Sequence, residues 1–345
     1  MKKGLYILLF AVLIMLSGGC SSEQKLKKEY EALIEETKDD LLPVLDMENG
    51  ECKKEYDPEL LSDDTGAYSK ELWTISGGQI DTPAGILCRE KDIILVDRGK
   101  DCLIRADYEG NFIQSVGGTG NGPLEFVSPT GIASFKDKIY VIDSGNNRVQ
   151  VLTKDLQFEE ELSLADNSDA PTVYENIAVE SEHTIYLCGD SLLDRHITKW
   201  KDGETTEIGE NFYGSIYGDE GRIYAVNRGN ICVDTEEIAM TVVSGDNYLF
   251  QIEKDTLTVS GRLPDGLSVN AFTCFDDQVI CFASSLAKLY EFHPDGEWEK
   301  TLAVFKDLNE KIDLRNYISA ADPQQIFLTN PQTGEVFRIR CHTDE

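Results

Sequence analysis

The sequence predicts an all-β fold, a six-bladed β-propeller, from two observations. The first is the stretch from Gly117 to Phe158, which has the turns and strands of one complete four-stranded sheet. The second is that weaker copies of this stretch recur, beginning near residues 83, 129, 176, 214, 270 and 318. The steps of 38 to 56 residues between these starts are typical of propeller blades, which repeat about every 40 to 50 residues.

The strands and turns of the complete unit can be assigned in order. A glycine-rich turn, Gly117–Pro123, precedes a first strand that starts near Ser128. Ile139–Asp143 is rich in β-branched and aromatic residues, and Arg148–Leu152 alternates polar and apolar residues, as half-buried strands do. Ser144–Asn147 turns the chain, because Gly and Asn tolerate the left-handed backbone conformation. Such a unit cannot bury its own faces, and it therefore requires repetition.

The same unit resembles the NHL repeat, a propeller-blade repeat. The resemblance is carried by Gly122-Pro123-x-Glu125-Phe126, Pro129-x-Gly131-Ile132-Ala133, Ile139-Tyr140-Val141-x-Asp143 and Asn146-Asn147-Arg148-Val149-Gln150-Val151. It is strong in this blade, and the rest of the chain keeps a degenerate pattern. The resemblance implies a closed β-propeller similar to the exported six-bladed propeller lipoproteins of bacteria. It implies little about activity, because propellers serve as enzymes, binding platforms and scaffolds.

The longest step, from residue 214 to residue 270, contains an insertion at Cys232–Ile238. We expect this insertion to project from one face of the ring, where functional loops usually lie. The alternative architecture is a seven-bladed ring in which residues 227–247 contribute a blade of their own.

The two ends of the chain are predicted to meet in one blade. The sixth copy ends near the C-terminus without an outer strand, whereas Leu72–Ile75 forms a strand before the first copy. We predict that this N-terminal strand supplies the missing outer strand of the last blade, which closes the ring and protects a sheet edge. The alternative is a plain edge strand on the first blade.

Residues 1–19 are predicted to be a lipoprotein signal peptide. Lys2 and Lys3 precede an apolar run over residues 5–16 that is too short to span a membrane. Leu16-Ser17-Gly18-Gly19-Cys20 resembles a bacterial lipobox, although its Leu stands one residue farther from the Cys than usual. The resemblance implies acyl chains on Cys20 and an exported protein anchored to a bacterial membrane. Ordinary cleavage without lipid is the alternative.

Residues 20–69 are predicted to hold the anchor, a short helix and a linker, and residues 70–345 the propeller. The helix is indicated within residues 23–42, where four apolar side chains share one helical face: Leu26, Tyr30, Leu33 and Ile34. Residues 46–70 are polar and acidic, which indicates a linker or a strap over the ring.

The chain has 63 Asp and Glu residues against 32 Lys and Arg residues, a formal net charge of −31. Binding to nucleic-acid phosphates needs patches of Lys and Arg, so this balance argues against a nucleic-acid partner. It argues equally against a polybasic contact with the membrane. It is compatible with binding to cations or basic peptides, and also with an acidic surface that serves solubility alone.

Several kinds of site find no support in the sequence. The nine cysteines include no CxxC pair, which argues against a zinc ribbon and a redox motif. Cys274 and Cys281 flank one predicted hairpin turn, and a disulfide between them is disfavoured because diagonal strand positions rarely bring Cα atoms close enough. The four histidines form no HExxH motif, and their spacing suggests no catalytic triad.

A calcium site in the central tunnel is the metal site to consider, because some six-bladed propellers are calcium-dependent lactonases or related hydrolases. Calcium prefers six to eight oxygen ligands. The inner strands begin with residues that include two amides and no carboxylate: Thr130, Asn176, Ser215, Asn270 and Ser319. Asn176 and Asn270 are therefore weak metal candidates. We expect no cofactor, with calcium as the alternative.

Four residues near the blade turns are assigned structural roles. Asp97 and Asp143 each end a second strand, where their carboxylates can cap the following turn by accepting backbone N–H hydrogen bonds. Lining the rim of a binding face is the alternative for both. Asn147 suits a left-handed turn position. Arg148 resembles the blade-packing arginine of the NHL repeat.

The sequence thus predicts a membrane-anchored, non-catalytic module outside the cytoplasm that binds an envelope protein, a peptide or a glycan. The alternative is a calcium-dependent lactonase or esterase-type hydrolase with its site in the central tunnel. The binding module needs an apolar or aromatic patch on one face. The hydrolase needs Asp, Asn or Glu side chains that converge at the tunnel mouth.

Overall fold

Six antiparallel four-stranded sheets form a closed ring. The computed structural model describes residues 58–164, 173–189, 196–209, 212, 214–227, 230–234, 239–243, 247–264, 267, 269–275, 278–284, 286–306, 317–322 and 325–342. Each sheet is one blade of a β-propeller, and the inner strands of neighbouring blades contact each other around the ring. The predicted all-β six-bladed propeller is therefore confirmed.

Every blade has four strands, which follow each other from the ring axis outward. The inner strands are β2 Pro83–Cys88, β6 Pro129–Phe135, β10 Tyr174–Ser181, β14 Gly214–Asp219, β20 Val269–Phe275 and β24 Ile318–Asp322. The second strands are β3 Asp92–Asp97, β7 Lys138–Asp143, β11 Thr184–Gly189, β15 Arg222–Asn227, β21 Gln278–Ala283 and β25 Gln325–Asn330. The third strands are β4 Cys102–Asp107, β8 Arg148–Thr153, β12 Ile197–Lys201, β18 Asn247–Glu253, β22 Lys288–Phe292 and β26 Glu335–Cys341. The outer strands are β5 Phe112–Gly117, β9 Phe158–Ser163, β13 Glu204–Ile208, β19 Thr256–Leu263, β23 Trp298–Val304 and β1 Tyr68–Trp73.

The core consists of apolar seams between neighbouring blades. One cluster joins blade 6 to blade 1 and blade 1 to blade 2, and four further clusters fill the remaining seams. The second strands are buried on both faces, as β3 and β7 show, because a blade is covered by a neighbour on each side. This packing explains why apolar residues fill the interior of β3 and β7.

The N-terminal strand closes the last blade, as predicted. β1 pairs with β26 antiparallel, from Tyr68 opposite Cys341 to Trp73 opposite Val336. The strand starts earlier than the predicted Leu72 and ends at Trp73. This pairing ties the two ends of the chain together and covers the edge of β26.

The insertion in blade 4 forms a two-stranded hairpin, β16 Asn230–Asp234 and β17 Ala239–Val243. It lies in the chain between the second and third strands of that blade. Because the hairpin is a separate two-stranded sheet and the blade itself has four strands, the ring has six blades and the seven-bladed alternative is wrong.

A short segment before β1 packs against the ring, and we call residues 58–63 the strap. It begins with one helical turn, α1 Pro58–Leu61. Leu60 is 1% exposed and lies in the apolar cluster between blades 4 and 5. The buried ammonium of Lys288 donates to the carbonyl oxygens of Leu60 at 3.1 Å and Ser62 at 2.6 Å, and it lies 2.9 Å from Asp63 Oδ1.

Other groups complete the strap contact. The hydroxyl of Tyr290 donates to the Leu60 carbonyl at 2.7 Å, and Lys306 Nζ lies 2.9 and 3.0 Å from the two carboxylate oxygens of Asp63. These lysine partners hold the pKa of the Asp63 carboxyl below its usual value. The strap is thus part of the folded ring, although it precedes the predicted propeller boundary at residue 70.

Several predictions concern residues outside the described part of the chain, including the signal peptide, Cys20 and the helix within residues 23–42. In the described part, no helix combines the length and hydrophobicity needed to cross a membrane. Cys274 and Cys281 are free thiols that lie opposite Val279 and Phe272 respectively. Burial raises the pKa of the Cys281 thiol well above its usual value.

Candidate binding site

A cavity of about 510 Å³ lies on the axis of the ring. Residues of all six inner strands, or directly beside them, line this central cavity. Its volume lies within the range of about 300 to 1,000 Å³ that small-molecule sites occupy. Because all six blades line this cavity, it is the candidate ligand-binding site of the ring.

The cavity wall combines apolar side chains with exposed main chain. Ile86, Ile177 and Ile216 contribute apolar surface from three blades. Tyr217 and Phe272 form an edge-to-face aromatic pair, with ring centroids 6.2 Å apart. Burial raises the pKa of the Tyr217 hydroxyl, which therefore remains a protonated donor. Because inner strands are the edges of their sheets, their outward N–H and C=O groups also face the cavity.

The cavity has a buried end and an accessible end. The inner strands are buried where they begin and partly exposed where they end, as β2, β6 and β14 show. At the accessible end, four lining residues form what we call the mouth: Ser134, Lys136, Tyr217 and Glu220. Ser134, Lys136 and Glu220 are exposed there. The cavity is therefore accessible from the face on which the inner strands end.

Three polar side chains meet at the buried end, which we call the floor: Glu175, Tyr317 and Arg98. The Tyr317 hydroxyl donates to Oε2 of Glu175, and Arg98 Nη1 lies 3.7 Å from Oε1. Glu175 is only 4% exposed and Tyr317 9%. These residues come from blades 3, 6 and 1, so the Glu175–Tyr317 contact joins blades on opposite sides of the ring. A buried carboxylate that faces a cavity is able to orient a polar ligand group.

Blade 2 and Glu175's own blade hold the residue before it, Tyr174, in place. The hydroxyls of Thr130 and Ser144 donate to the carbonyl of Tyr174 at 2.9 and 3.0 Å. The Tyr174 hydroxyl donates to Thr198 Oγ1 at 3.1 Å. The residue before Glu175 is thus fixed at both its carbonyl and its side chain, which restricts the position of the carboxylate.

Tyr317 and Arg98 are fixed in similar ways. Thr329 brackets Tyr317, since its N–H donates to the Tyr317 carbonyl at 2.9 Å and its hydroxyl accepts from the Tyr317 N–H at 3.1 Å. Arg98 follows Asp97, whose buried carboxylate accepts the backbone N–H groups of Asp81 and Thr82, both at 3.0 Å. Asp97 therefore holds the turn from which Arg98 reaches the floor.

In blade 3, the sequence pattern assigned the floor position to Asn176, one residue after Glu175. Leu187 opposes Ile177 in that blade, just as Val141 opposes Ile132 in blade 2. Glu175 is therefore the counterpart of Thr130, although the pattern placed Asn176 there. The cause is that blade 3 lacks the proline and glycine that mark the strand start in blade 2, where Pro129 and Gly131 correspond to Tyr174 and Asn176. The expectation that no carboxylate lies among the inner-strand starts is wrong, and only the neighbouring Asn176 pointed toward this position.

The two amides proposed as metal candidates have different surroundings. Asn176 is half-buried and lines the cavity. Asn270 is 2% exposed, and its Oδ1 accepts the N–H of Ser284 at 3.0 Å within its own blade. Among the residues that the structure describes, no group of three His, Cys, Asp or Glu could hold a metal ion. With Arg98 beside Glu175, these side chains fit a calcium ion poorly, because calcium requires six to eight oxygens.

The other sequence-predicted residues meet in blade 2, away from the cavity. Asp143 accepts the Val127 N–H at 2.8 Å and the Arg148 Nε–H at 2.8 Å. Arg148 also donates to three connector carbonyls, those of Asn121, Gly122 and Glu125, at 2.8 to 3.0 Å. Asn147 takes a left-handed conformation with φ 52° and ψ 48°. Asp97 and Asp143 thus accept backbone N–H groups of the connector that precedes the inner strand rather than those of the following turn, and Asp143 contacts that turn only through the Asn146 side chain, at 2.9 Å.

Comparison with known proteins agrees with this architecture. The chain is similar to a putative exported protein from Bacteroides fragilis at 11% identity, with a TM-score of 0.52 over 82% of this chain and 97% of that one. It is similar to virginiamycin B lyase from Staphylococcus aureus at 12% identity, with a TM-score of 0.51 over 79% and 99% of the two chains. At these identities the similarity shows a shared fold and no shared activity.

Sequence comparison leads to the same fold. No curated protein matches the chain significantly. Residues 71–259 match the family model described as 6-bladed beta-propeller, DUF5128, which covers more than half of the 345 residues. The chain therefore belongs to this family of six-bladed β-propellers.

Proposed function

We propose that the protein is a non-catalytic binding module at the bacterial cell envelope, anchored by lipid on Cys20. Its ligand is part of an envelope protein, a peptide or a glycan, which enters the central cavity from the mouth. The observation that carries this proposal is a cavity of about 510 Å³ with a buried polar floor and an accessible opposite end. Apolar walls with a few converging polar groups are the usual features of ligand sites.

The floor is a rigid, preformed part of the proposed binding site. Glu175, Tyr317 and Arg98 are positioned by blades that the ring closure locks together, so the site is formed before the ligand arrives. Preformed sites lose less conformational entropy on binding. The net charge of −31 supports a partner other than nucleic acid, since phosphate binding requires positive surface.

The anchor follows from the lipobox-like segment at Leu16–Cys20. Acyl chains hold a soluble domain at a membrane without a spanning helix. Metabolic labelling with an alkyne fatty acid tests this proposal. We expect the label on the full-length protein and none on Cys20→Ala; equal labelling of both would refute Cys20 as the site.

A mouth-blocking variant tests the binding proposal. A panel of envelope oligosaccharides and peptides is first screened by thermal shift on the full-length protein in detergent. Ser134→Trp is expected to abolish the stabilisation that any hit produces, because an indole at the mouth blocks the cavity. Asp137→Trp is the matched control, since Asp137 is exposed in the same region and does not line the cavity. A hit that stabilises Ser134→Trp as much as the unmodified protein contradicts the cavity as the site.

The second candidate function is a calcium-dependent lactonase or esterase-type hydrolase. One observation favours it: Glu175 and Asn176 are consecutive and both line the cavity, so the tunnel holds a carboxylate. Thermal melting in excess calcium and then in EDTA separates the two candidates. A ligand at about 100 times its Kd stabilises the folded state by about 2.7 kcal/mol. The binding module predicts equal midpoints, whereas a calcium-specific rise would favour the hydrolase.

A further inference from the structure

We infer that the central cavity binds the basic side chain of a peptide, with the charged tip at Glu175 and the apolar stem along Tyr217 and Phe272. This inference rests on the proposed function, because it names the ligand class of the same cavity. Lysine and arginine side chains combine an apolar stem with a charged end, so they match a site with apolar walls and a charged floor.

The floor supplies the charge that a basic group requires. Glu175 is 4% exposed, and a buried carboxylate is stable only beside cations or hydrogen-bond donors. An ammonium brings three donors and a guanidinium five, and charge-assisted hydrogen bonds to a carboxylate are stronger than neutral ones. The Tyr317 hydroxyl donates to Oε2 of Glu175 and thereby restricts the orientation of the carboxylate.

The walls suit the stem and the cation together. Tyr217, at the mouth, and its partner Phe272 present an aromatic pair, and both line the cavity. A cation near an aromatic face is attracted by the negative charge of the ring face. An acidic side chain would lack this attraction and would meet Glu175 with like charge.

The charge of the whole protein points the same way. A net charge of −31 attracts basic ligands over long distances and raises their association rate at low ionic strength. Binding of a basic peptide should therefore weaken as salt increases.

Arg98 allows basic and acidic ligands to be distinguished, because it already forms an ion pair with Glu175, with Nη1 3.7 Å from Oε1. A basic ligand must compete with Arg98 for the carboxylate. An acidic ligand would instead need Arg98 as its partner. Replacing Arg98 therefore strengthens the binding of a basic group and weakens the binding of an acidic one.

The test uses three peptides of one length, acetyl-Gly-Gly-X-Gly-Gly-amide, in which X is lysine, norleucine or glutamate. Affinities for the full-length protein in detergent are measured by calorimetry at low salt. We expect the lysine peptide to bind at least tenfold more tightly than the other two. Glu175→Gln is expected to weaken the lysine peptide at least tenfold, and Arg98→Gln to strengthen it. Glu159→Gln removes a carboxylate on the outer strand of blade 2 and is expected to change nothing.

Two outcomes would overturn the inference. One is equal affinity for the lysine and norleucine peptides, or none for either. The other is a loss of lysine-peptide binding in Arg98→Gln. Melting curves confirm that each variant is folded. If basic peptides fail while another ligand still loses its effect in Ser134→Trp, the inference falls and the proposed function stands.

Discussion

Two clusters of buried charge in this ring differ in what surrounds them. In the strap cluster, the Lys288 ammonium has three N–H donors and three oxygen partners, on Leu60, Ser62 and Asp63. At the floor, Glu175 meets Tyr317 and Arg98 but also faces an open cavity. In the strap cluster, oxygen atoms of the chain itself provide a partner for each of the three donors. The comparison teaches that buried charge alone does not indicate a binding site, and that the floor differs from the strap cluster because it borders accessible space.

Disrupting the packing of the strap is expected to have the largest effect on the free energy of unfolding. Leu60→Ala should lower the free energy of unfolding by about 3 kcal/mol, because truncating a buried leucine costs about 2 to 5 kcal/mol. Leu61→Ala is the matched control, since Leu61 is 51% exposed and an exposed truncation changes stability by less than about 0.5 kcal/mol. Denaturant unfolding measures both. Equal effects would show that the strap does not pack as a core element.

The strap lysine should affect stability and leave binding unchanged. Lys288→Met keeps the apolar stem and removes three charge-assisted contacts, and we expect a loss of about 2 kcal/mol in unfolding free energy. The affinity for a cavity ligand should stay within twofold. An affinity loss of tenfold or more would mean that the two clusters are coupled, and would break the comparison.

The floor should show the opposite behaviour. Glu175→Gln preserves the shape of the side chain and removes its charge, and the effect on stability should be small because Arg98, with a side chain 29% exposed, stays hydrated when it loses this partner. We expect the unfolding free energy to change by less than about 1 kcal/mol, while ligand affinity falls at least tenfold. A large loss of stability would assign Glu175 to the structural core instead.

Acid should weaken the strap through Asp63. Because its pKa is lowered in the folded protein by Lys306 and Lys288, its contribution is present above the unfolded pKa of about 3.9 and is lost as pH falls through the folded value. Limited proteolysis near the strap should therefore accelerate in acid for the unmodified protein. Asp63→Asn should show fast cleavage at all pH values, whereas the neighbouring Asp64→Asn should behave like the unmodified protein.

The sequence predicted the ring and missed the floor for physical reasons. Blade starts near residues 83, 129, 214 and 318 coincide with β2, β6, β14 and β24, because strands repeat local patterns of apolar and turn residues. The floor joins side chains from three blades that are distant in sequence. Its carboxylate also lies in a blade without the proline and glycine that mark the strand start in blade 2, so the repeat pattern places the start of β10 one residue too late.

The sequence predicts a linker or a strap over residues 46–70, but it does not predict the burial of Leu60. Its segment is polar and acidic except for a few residues, and the burial of Leu60 depends on a groove built by blades 4 and 5. The sequence of the strap itself carries no information about that groove. The closure strand was easier to predict, because the sixth repeat visibly lacked an outer strand.

The most direct test measures two quantities on Glu175→Gln and Lys288→Met, the unfolding free energy and the affinity for the lysine peptide. We predict that Glu175→Gln loses at least tenfold in affinity and less than about 1 kcal/mol in stability, because the partly exposed Arg98 stays hydrated, and that Lys288→Met does the reverse. Normal peptide binding by Glu175→Gln, or a joint loss of stability and affinity in both variants, would contradict this prediction.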